Sequence, residues 1–386
     1  MALFETPSVS PVERVSAASG RVASAPGTWV LIGENVDHFG GVTLAGTVSL
    51  RAAAAVHPRS DGVISIAANG PLGQEFKAQL PYDDQPADGL ALRWWGLVHT
   101  LVQRQVLSRD TAGVDITVES DVPVGAGLGA LYAADAAIAL ALAGEHDDVD
   151  TAPFRARLAE ICSHAVATYS SQPVLRARHS VALRGADGVS VVDYADGSLT
   201  QAPHPSRHGV RVFSVSKELG APFTQSREAI AERREFIDAA CSNFGVSSLR
   251  QLPDAPGRAV QWVEARRAAG DTAAPEPEAA RRWVQFCESE TLRSLAAAKA
   301  LRSRRANELF TLLNSPSESH DLASPDALVA LARKRGAVAA RPAAIGTSDA
   351  VIAFVPVQEA DSFAAAMARE FEVVEVAAGE PARLEG

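Results

Sequence analysis

The stretch from Ala25 to Gly41 constrains the fold and the chemistry of this chain more than any other part of the sequence. An apolar run from Trp29 to Ile32 predicts a short buried strand, and Gly33 ends it where the backbone must turn. Three side chains that carry oxygen follow at once: Glu34, Asn35 and Asp37. A carboxylate can accept two hydroxyl hydrogen bonds, so this turn is suited to a polyhydroxylated ligand. The alternative is an acidic β-turn that binds nothing.

Composition limits the classes of protein to which the chain can belong. Its 386 residues are enough for two domains with substantial cores, and 47% hydrophobic with 21% charged residues is typical of a soluble globular protein. The formal net charge of -10 argues against binding to nucleic acid or to an anionic membrane. Three widely spaced cysteines predict neither a disulfide framework nor a zinc site. With no recognisable signal peptide or membrane-spanning run, we expect a cytoplasmic protein.

A second motif predicts an anion site. Val114 to Glu119 alternates like a strand with one buried face, and an apolar helix is predicted from Ala130 to Ala143. The segment between them, Asp121 to Gly129, contains Gly-x-Gly-x-Gly. The first N–H groups of a helix have no internal partner, so a glycine loop at this position can bind phosphate. Alternatively, the glycines only allow a tight turn against the sheet.

Two domains are predicted, with a boundary in the loop-like segment Pro203 to Ser206. The first, residues 1–205, contains an antiparallel β region, a helix from Leu90 to Val106 and the glycine loop. The second, residues 206–386, is predicted to contain further strands and helices, namely the strands Val210–Val215 and Ala350–Val355 and the helices Ser226–Phe244, Arg281–Arg304, Pro325–Gly336 and Ala360–Glu370.

Several co-ordered motifs resemble the galactokinases of the GHMP small-molecule kinase superfamily. Their first signature runs Pro-Gly-Arg-Val-Asn-Leu-Ile-Gly-Glu-His-x-Asp-Tyr-x-Gly-Gly, and Ala25 to Gly41 follows it without a gap. Val122 to Leu128 matches their Val-Pro-x-Gly-x-Gly-Leu segment, and Gly336 to Arg341 matches their Gly-Ala-x-x-Ala-Arg. The resemblance implies an α+β, two-domain GHMP-kinase fold with an N-terminal mixed β/α domain and a C-terminal ferredoxin-like α+β domain.

What the family does implies the chemistry expected of an intact member. ATP and Mg²⁺ bind at the glycine loop, and the γ-phosphate passes to the C1 hydroxyl of galactose. The resemblance assigns sugar contacts to Glu34, Asn35 and Asp37. It assigns nucleotide contacts to the glycine loop, that is, to Pro123, Gly125, Gly127, Leu128, Gly129 and Ala130.

The residues that should grip phosphate and metal depart from the family pattern. Thr28 replaces the arginine of the first signature and carries no positive charge for the transferred phosphoryl group. Gly129 to Leu131 replaces the serines that help to hold magnesium and offers no hydroxyl ligand. Asp135 aligns with a family glutamate and is left as the candidate metal ligand; a solvated aspartate on the helix is the alternative. These departures put the binding of ATP and Mg²⁺ in question.

The catalytic base and the third glycine run depart as well. Ala177 falls at the catalytic aspartate, and His179, a conceivable base, aligns with a packing phenylalanine and is expected on a helix surface or strand edge. Ile230 replaces a tyrosine that the family places against the sugar, and Pro342 to Ala350 keeps one glycine, Gly346, of the glycine run. We therefore expect a catalytically inactive relative that binds sugar, nucleotide or a protein partner as a sensor. The alternative is an active, divergent galactokinase or related sugar 1-kinase.

Overall fold

A computed structural model describes residues 4, 6–16, 20–69, 75–219, 226–316 and 321–385. Its strands are β1 (Arg21–Ile32), β2 (Val42–Arg59), β3 (Val63–Asn69), β4 (Phe76–Pro81), β5 (Gly113–Ser120), β6 (Val189–Asp193), β7 (Ser198–Ala202), β8 (Val210–Ser216), β9 (Ala339–Pro342), β10 (Val351–Pro356), β11 (Glu372–Glu375) and β12 (Arg383–Glu385). Its helices are α1 (Pro11–Val15), α2 (Gly89–Gln103), α3 (Ala130–Ala143), α4 (Ala152–Tyr169), α5 (Arg176–Arg184), α6 (Arg227–Phe244), α7 (Ala255–Ala268), α8 (Pro277–Arg302), α9 (Ala306–Asn314), α10 (Asp326–Lys334) and α11 (Ala360–Met367).

The strands form two sheets, which gives the α+β architecture that the sequence predicted. The larger has the order β12-β1-β2-β5-β3-β4, with β6 also paired to β2 and β7 paired to β6. The smaller has the order β11-β8-β10-β9 and is antiparallel throughout. A boundary at residue 205 separates the strands of the two sheets with one exception. The last strand, β12, returns to pair with β1 in the larger sheet.

Helix α3 is the centre of the larger core. It is built almost entirely from alanine, leucine and isoleucine, and its apolar side chains are buried on nearly every side. A helix that is apolar all round packs between other layers, and α3 contacts β1 and β2 as well as α4 and α5. This packing fixes the N-terminus of α3 and the glycine loop that precedes it. Among the described residues, no helix combines the length and apolarity needed to cross a membrane.

His204, near the predicted boundary, is expected to make stability depend on pH. It packs edge-on against the ring of Trp29, and burial lowers its pKa from 6.5 to about 4. Because the unfolded chain binds the proton more readily, stability is lost as pH falls from the unfolded pKa toward the folded one. We expect about 2 kcal/mol to be lost from this residue between pH 7 and 5. Urea unfolding of wild type and His204→Gln at both pH values tests this, and an equal pH dependence of the two proteins would contradict it.

Candidate functional site

The glycine loop between β5 and α3 requires glycine for two physical reasons. Gly125, Gly127 and Gly129 all have positive φ angles, at 91°, 68° and 66°. A Cβ on Gly127 would lie 2.5 Å from the Cβ of Ala343. The loop lines a cavity of about 140 Å³ at the N-terminus of α3. The predicted nucleotide residues that line this cavity are Pro123, Gly125, Gly127, Leu128, Gly129 and Ala130.

Arg178 of α5 places a positive charge in the wall of this cavity. Its side chain is buried, and its Nη2 donates to the carbonyl of Gly127 at 2.9 Å while its Nη1 donates to the carbonyl of Thr28. Both partners are neutral, and among the described residues Arg178 forms no ion pair with a carboxylate. Burial lowers the pKa of this guanidinium below its ordinary value. A buried cation without a counterion is costly, and an anion in the cavity would relieve that cost.

The structure therefore corrects the prediction that no positive charge lies at Thr28 to bind phosphate. The guanidinium of Arg178 lies within 3.4 Å of the Thr28 hydroxyl and supplies a charge at that place from a different element. The sequence motifs did not predict this charge. The family arginine aligns with Thr28, whereas Arg178 follows Ala177 in the segment that aligns with the catalytic base. Asp349 also lines the cavity, and its negative charge disfavours an anion close to it.

The turn after β1 brings the predicted sugar residues together, but several of their polar groups already have partners in the protein. Both oxygens of Glu34 accept hydrogen bonds from Nη2 of Arg341, at 2.9 and 3.0 Å. The Nδ2 of Asn35 donates to the carbonyl of Ile345 at 3.0 Å, and Asn35 itself has a φ angle of 60°. A buried ion pair of this kind stabilises the turn only while both partners stay together. Glu34 in this conformation holds Arg341 rather than presenting a free carboxylate.

The Oδ1 of Asn35 accepts no hydrogen bond within the described part of the chain, and Asp37 is the charged member of this set with such an atom. Its Oδ2 is buried and, within the described part of the chain, accepts no hydrogen bond, while Oδ1 lies 3.5 Å from Nη2 of Arg234. Burial raises the pKa of Asp37, but the charges of Arg234, His38 and Arg176 outweigh burial and lower it. Asp37 is therefore charged at neutral pH. An ionised carboxylate with an unused oxygen can accept a hydrogen bond from a ligand or a water molecule.

The space around these residues is too small for a sugar. The cavity that Glu34, Asn35, Asp37, Ala177 and Tyr194 line has a volume of about 10 Å³. A single water needs roughly 10–15 Å³ by the same measure, so the cavity has room for one water at most and none for a hexose. Ile345 packs with Ile230 and Leu322 in an apolar cluster beside the turn. Both isoleucines replace residues that the family uses near the ligand.

Asp135 does not fit the metal role that the resemblance assigned to it. Its carboxylate is buried and accepts hydrogen bonds from Nε and Nη2 of Arg93, from Nε1 of Trp94 and from His179, at distances of 2.5 to 3.1 Å. Burial raises its pKa, but Arg93 and His179 outweigh burial and lower it to about 2. Both carboxylate oxygens therefore accept hydrogen bonds from buried side chains and are not available to a metal ion. The prediction of a solvated helix aspartate is wrong for the same reason.

His179 also differs from its predicted placement, because it is fully buried rather than on a surface or an edge. Its Nδ1 lies 3.0 Å from the hydroxyl of Ser163, and its Nε2 lies 3.1 Å from Asp135. Although this Ser–His–Asp order resembles a catalytic triad, neither Ser163 nor His179 lines the cavity at the glycine loop or the cavity beside Glu34. The group is a buried polar network that connects α3, α4 and α5.

The positions to which the resemblance assigns magnesium ligands do not provide them. Gly129, Ala130 and Leu131 have no side-chain oxygen, and Asp135 is bound to Arg93. Among the residues that the structure describes, no three His, Cys, Asp or Glu side chains lie together as metal ligands. The position of Arg178 fits a phosphate group, whereas the positions predicted for the metal do not fit Mg²⁺.

Comparison with known proteins gives one consistent result. Residues 12–58 match the galactokinase galactose-binding signature. A galactokinase from Mycobacterium tuberculosis is 28% identical over 349 residues, 87% of this chain and 89% of that protein. One from Streptomyces coelicolor is 27% identical over 239 residues, 60% of this chain and 59% of that protein. The crystal structure of Lactococcus lactis galactokinase complexed with galactose has a TM-score of 0.75 at 16% identity and covers 96% of this chain and 98% of that one.

Proposed function

Because the chain belongs to the galactokinase family of the GHMP small-molecule kinases, we propose that it is a member that no longer phosphorylates galactose. Its glycine loop keeps a binding site for an anionic group, of which the phosphate of a nucleotide is the family example. The protein acts in the cytoplasm as a ligand-binding sensor, and a partner protein distinguishes its ligand-bound form from its ligand-free form. The family nevertheless defines which ligands should be tested first, namely galactose, ATP and Mg²⁺.

The observation that supports this proposal most strongly is the small volume of the cavity beside Ala177, where the resemblance places the sugar. A hexose cannot enter a volume of about 10 Å³. Even if the walls moved, Ala177 offers no group to accept the proton of the attacking hydroxyl. A general base contributes roughly 10²–10⁴-fold to a rate. Loss of the base, together with loss of sugar positioning, leaves turnover far below that of an intact kinase, although such losses are not additive.

One observation favours the alternative of an active, divergent sugar 1-kinase. The guanidinium of Arg178 lies beside Thr28 and could stabilise charge on a transferred phosphoryl group, as the missing arginine would. Asp37, which is ionised and has an unused oxygen, lines the same small cavity as Ala177. This alternative requires the cavity to open by movement of Ile345 and Ile230. A kinase assay separates the two functions.

We expect no galactose-dependent release of ADP from the purified full chain with Mg²⁺-ATP. The assay couples ADP to NADH oxidation, with an active galactokinase at equal concentration as the positive control. Calorimetric titration with galactose is expected to give no saturable heat, whereas titration with ADP or inorganic phosphate is expected to give it. Galactose-dependent turnover within a hundredfold of the control would overturn the proposal. Absence of any anion binding would remove its ligand-binding half.

A further inference from the structure

A second and larger cavity lies between α8, α9, α10 and β9, and its volume is about 390 Å³. We call it the Arg341 cavity. The residues that define it are Arg293 of α8, Asn314 of α9, Ser324 just before α10, Arg333 in α10 and Arg341 of β9. Its volume falls in the range of about 300–1,000 Å³ that small-molecule sites occupy. None of the residues predicted to bind sugar or nucleotide lines it.

Two arginines that line this cavity carry buried donors without partners. Arg341 is 5% exposed, and its Nη2 donates to Glu34 and Glu290 on one side. Its Nε and Nη1, together with Nε of Arg293, make no hydrogen bond to any residue that the structure describes. Buried polar groups are nearly always hydrogen-bonded, and each unpaired donor is costly. Three such donors on two residues that line one cavity favour a ligand that presents acceptor oxygens.

The charges of the cavity wall select the kind of acceptor. Glu34 and Glu290, which contact Arg341, do not line the cavity. Of the residues that the structure describes, the charged ones that line it are three arginines and one aspartate, namely Arg293, Arg333, Arg341 and Asp326. Asp326 accepts a hydrogen bond of 2.6 Å from the hydroxyl of Ser324. The excess of guanidinium groups favours an oxyanion, which arginine binds through paired N–H donors.

We propose that the Arg341 cavity binds a small molecule that carries a carboxylate or phosphate group, with its oxygens on Arg341 and Arg293. The site is connected to the turn after β1 by two links. Arg341 also holds Glu34, and Ile345, which lines the cavity, accepts a hydrogen bond from Asn35. An oxyanion that competes with Glu34 for Arg341 therefore changes the support of that turn. This inference does not rest on the proposed function, because the two sites have no charged lining residue in common among those that the structure describes.

The test is calorimetric titration of the full chain with malonate and, separately, with inorganic phosphate. Both titrations use Arg178→Met protein, so that the glycine loop does not contribute. Arg341→Gln removes the central donor but also breaks the pair with Glu34. Ser324→Trp is the second variant, because it fills the cavity and leaves the arginines in place. Ser362→Trp, at an exposed serine of α11, is the matched control.

We expect saturable binding of at least one probe that Ser324→Trp and Arg341→Gln each weaken at least about tenfold, since charge-assisted hydrogen bonds are lost. Ser362→Trp should leave the affinity unchanged. Binding of malonate alone assigns the site to carboxylates, binding of phosphate alone assigns it to phosphate groups, and both results support the proposal. Absence of saturable binding of either probe, or binding that Ser324→Trp leaves unchanged, would overturn it.

Discussion

Asp135→Ala is expected to lower the free energy of unfolding by about 3–5 kcal/mol. The carboxylate of Asp135 is the partner of Arg93 in a fully buried ion pair, and it also accepts hydrogen bonds from Trp94 and His179. Removing it leaves a guanidinium in the core without a counterion, together with unpaired donors. Urea unfolding of wild type and variant at pH 7, followed by circular dichroism, measures the difference.

Two further measurements separate this cause from a general loss of packing. In the double variant Arg93→Leu, Asp135→Leu, both charges are replaced by apolar groups, and we expect it to be more stable than Asp135→Ala. An exposed ion pair is the matched control: Arg211 contacts Asp361, whose side chain is 93% exposed. Asp361→Ala should change stability by less than about 1 kcal/mol. Equal losses for Asp135→Ala and Asp361→Ala would contradict the assignment of a buried structural role.

The pH dependence follows from the same carboxylate. Because its pKa is lowered to about 2 in the folded protein, its stabilising contribution is present above the unfolded pKa of about 3.9. That contribution is lost as pH falls through about 2. The difference in stability between wild type and Asp135→Ala should therefore stay constant from pH 7 to about 4 and narrow only below it.

Periodicity predicted the elements that form the frame of the molecule. The predicted helix from Ala130 to Ala143 has the bounds of α3, and the strand predicted from Val114 to Glu119 is extended by one residue at each end in β5. Two helices of the second half, α7 and α9, were not predicted. The glycine and prolines of residues 269–280 favoured a loop, but Pro277 occupies the first turn of α8, where its missing N–H is not needed.

The content of the candidate site could be predicted only in part. Motif spacing placed Glu34, Asn35 and Asp37 in one turn, and the structure brings them together. Whether that turn faces a ligand depended on side chains more than 190 residues away in sequence, such as Ile345, Ile230 and Arg341. Similarly, aligned motifs show that Thr28 lacks a charge, but only the three-dimensional position of α5 brings Arg178 to it. Replacement of one charge by another from a different element leaves no signal within either motif.

Arg178→Met is expected to weaken the binding of inorganic phosphate by about 10–100-fold without destabilising the protein. A hydrogen bond from a charged donor contributes roughly 1.5–3 kcal/mol to binding, which corresponds to that change in affinity. Stability should change little, because the cost of two carbonyls that lose their donor is offset by the removal of a buried guanidinium that has no carboxylate partner in the described chain. Calorimetric titration with phosphate, with and without Arg178→Met in Ser324→Trp protein so that the Arg341 cavity does not contribute, measures the affinity, and urea unfolding of the same preparations measures the stability.

This test is specific because phosphate affinity is expected to fall while the free energy of unfolding is not. A structural arginine would lose stability when replaced, as Arg93 should, whereas an arginine retained for a ligand loses affinity alone. Arg184→Met, in the last turn of the same helix, is the control for a change of charge on α5 and should leave phosphate affinity unchanged. If Arg178→Met binds phosphate as wild type does, the charge beside Thr28 has no role in ligand binding. If it binds phosphate weakly but is also destabilised by several kcal/mol, disruption of the glycine loop explains the weaker binding, and the assignment of Arg178 to a ligand fails.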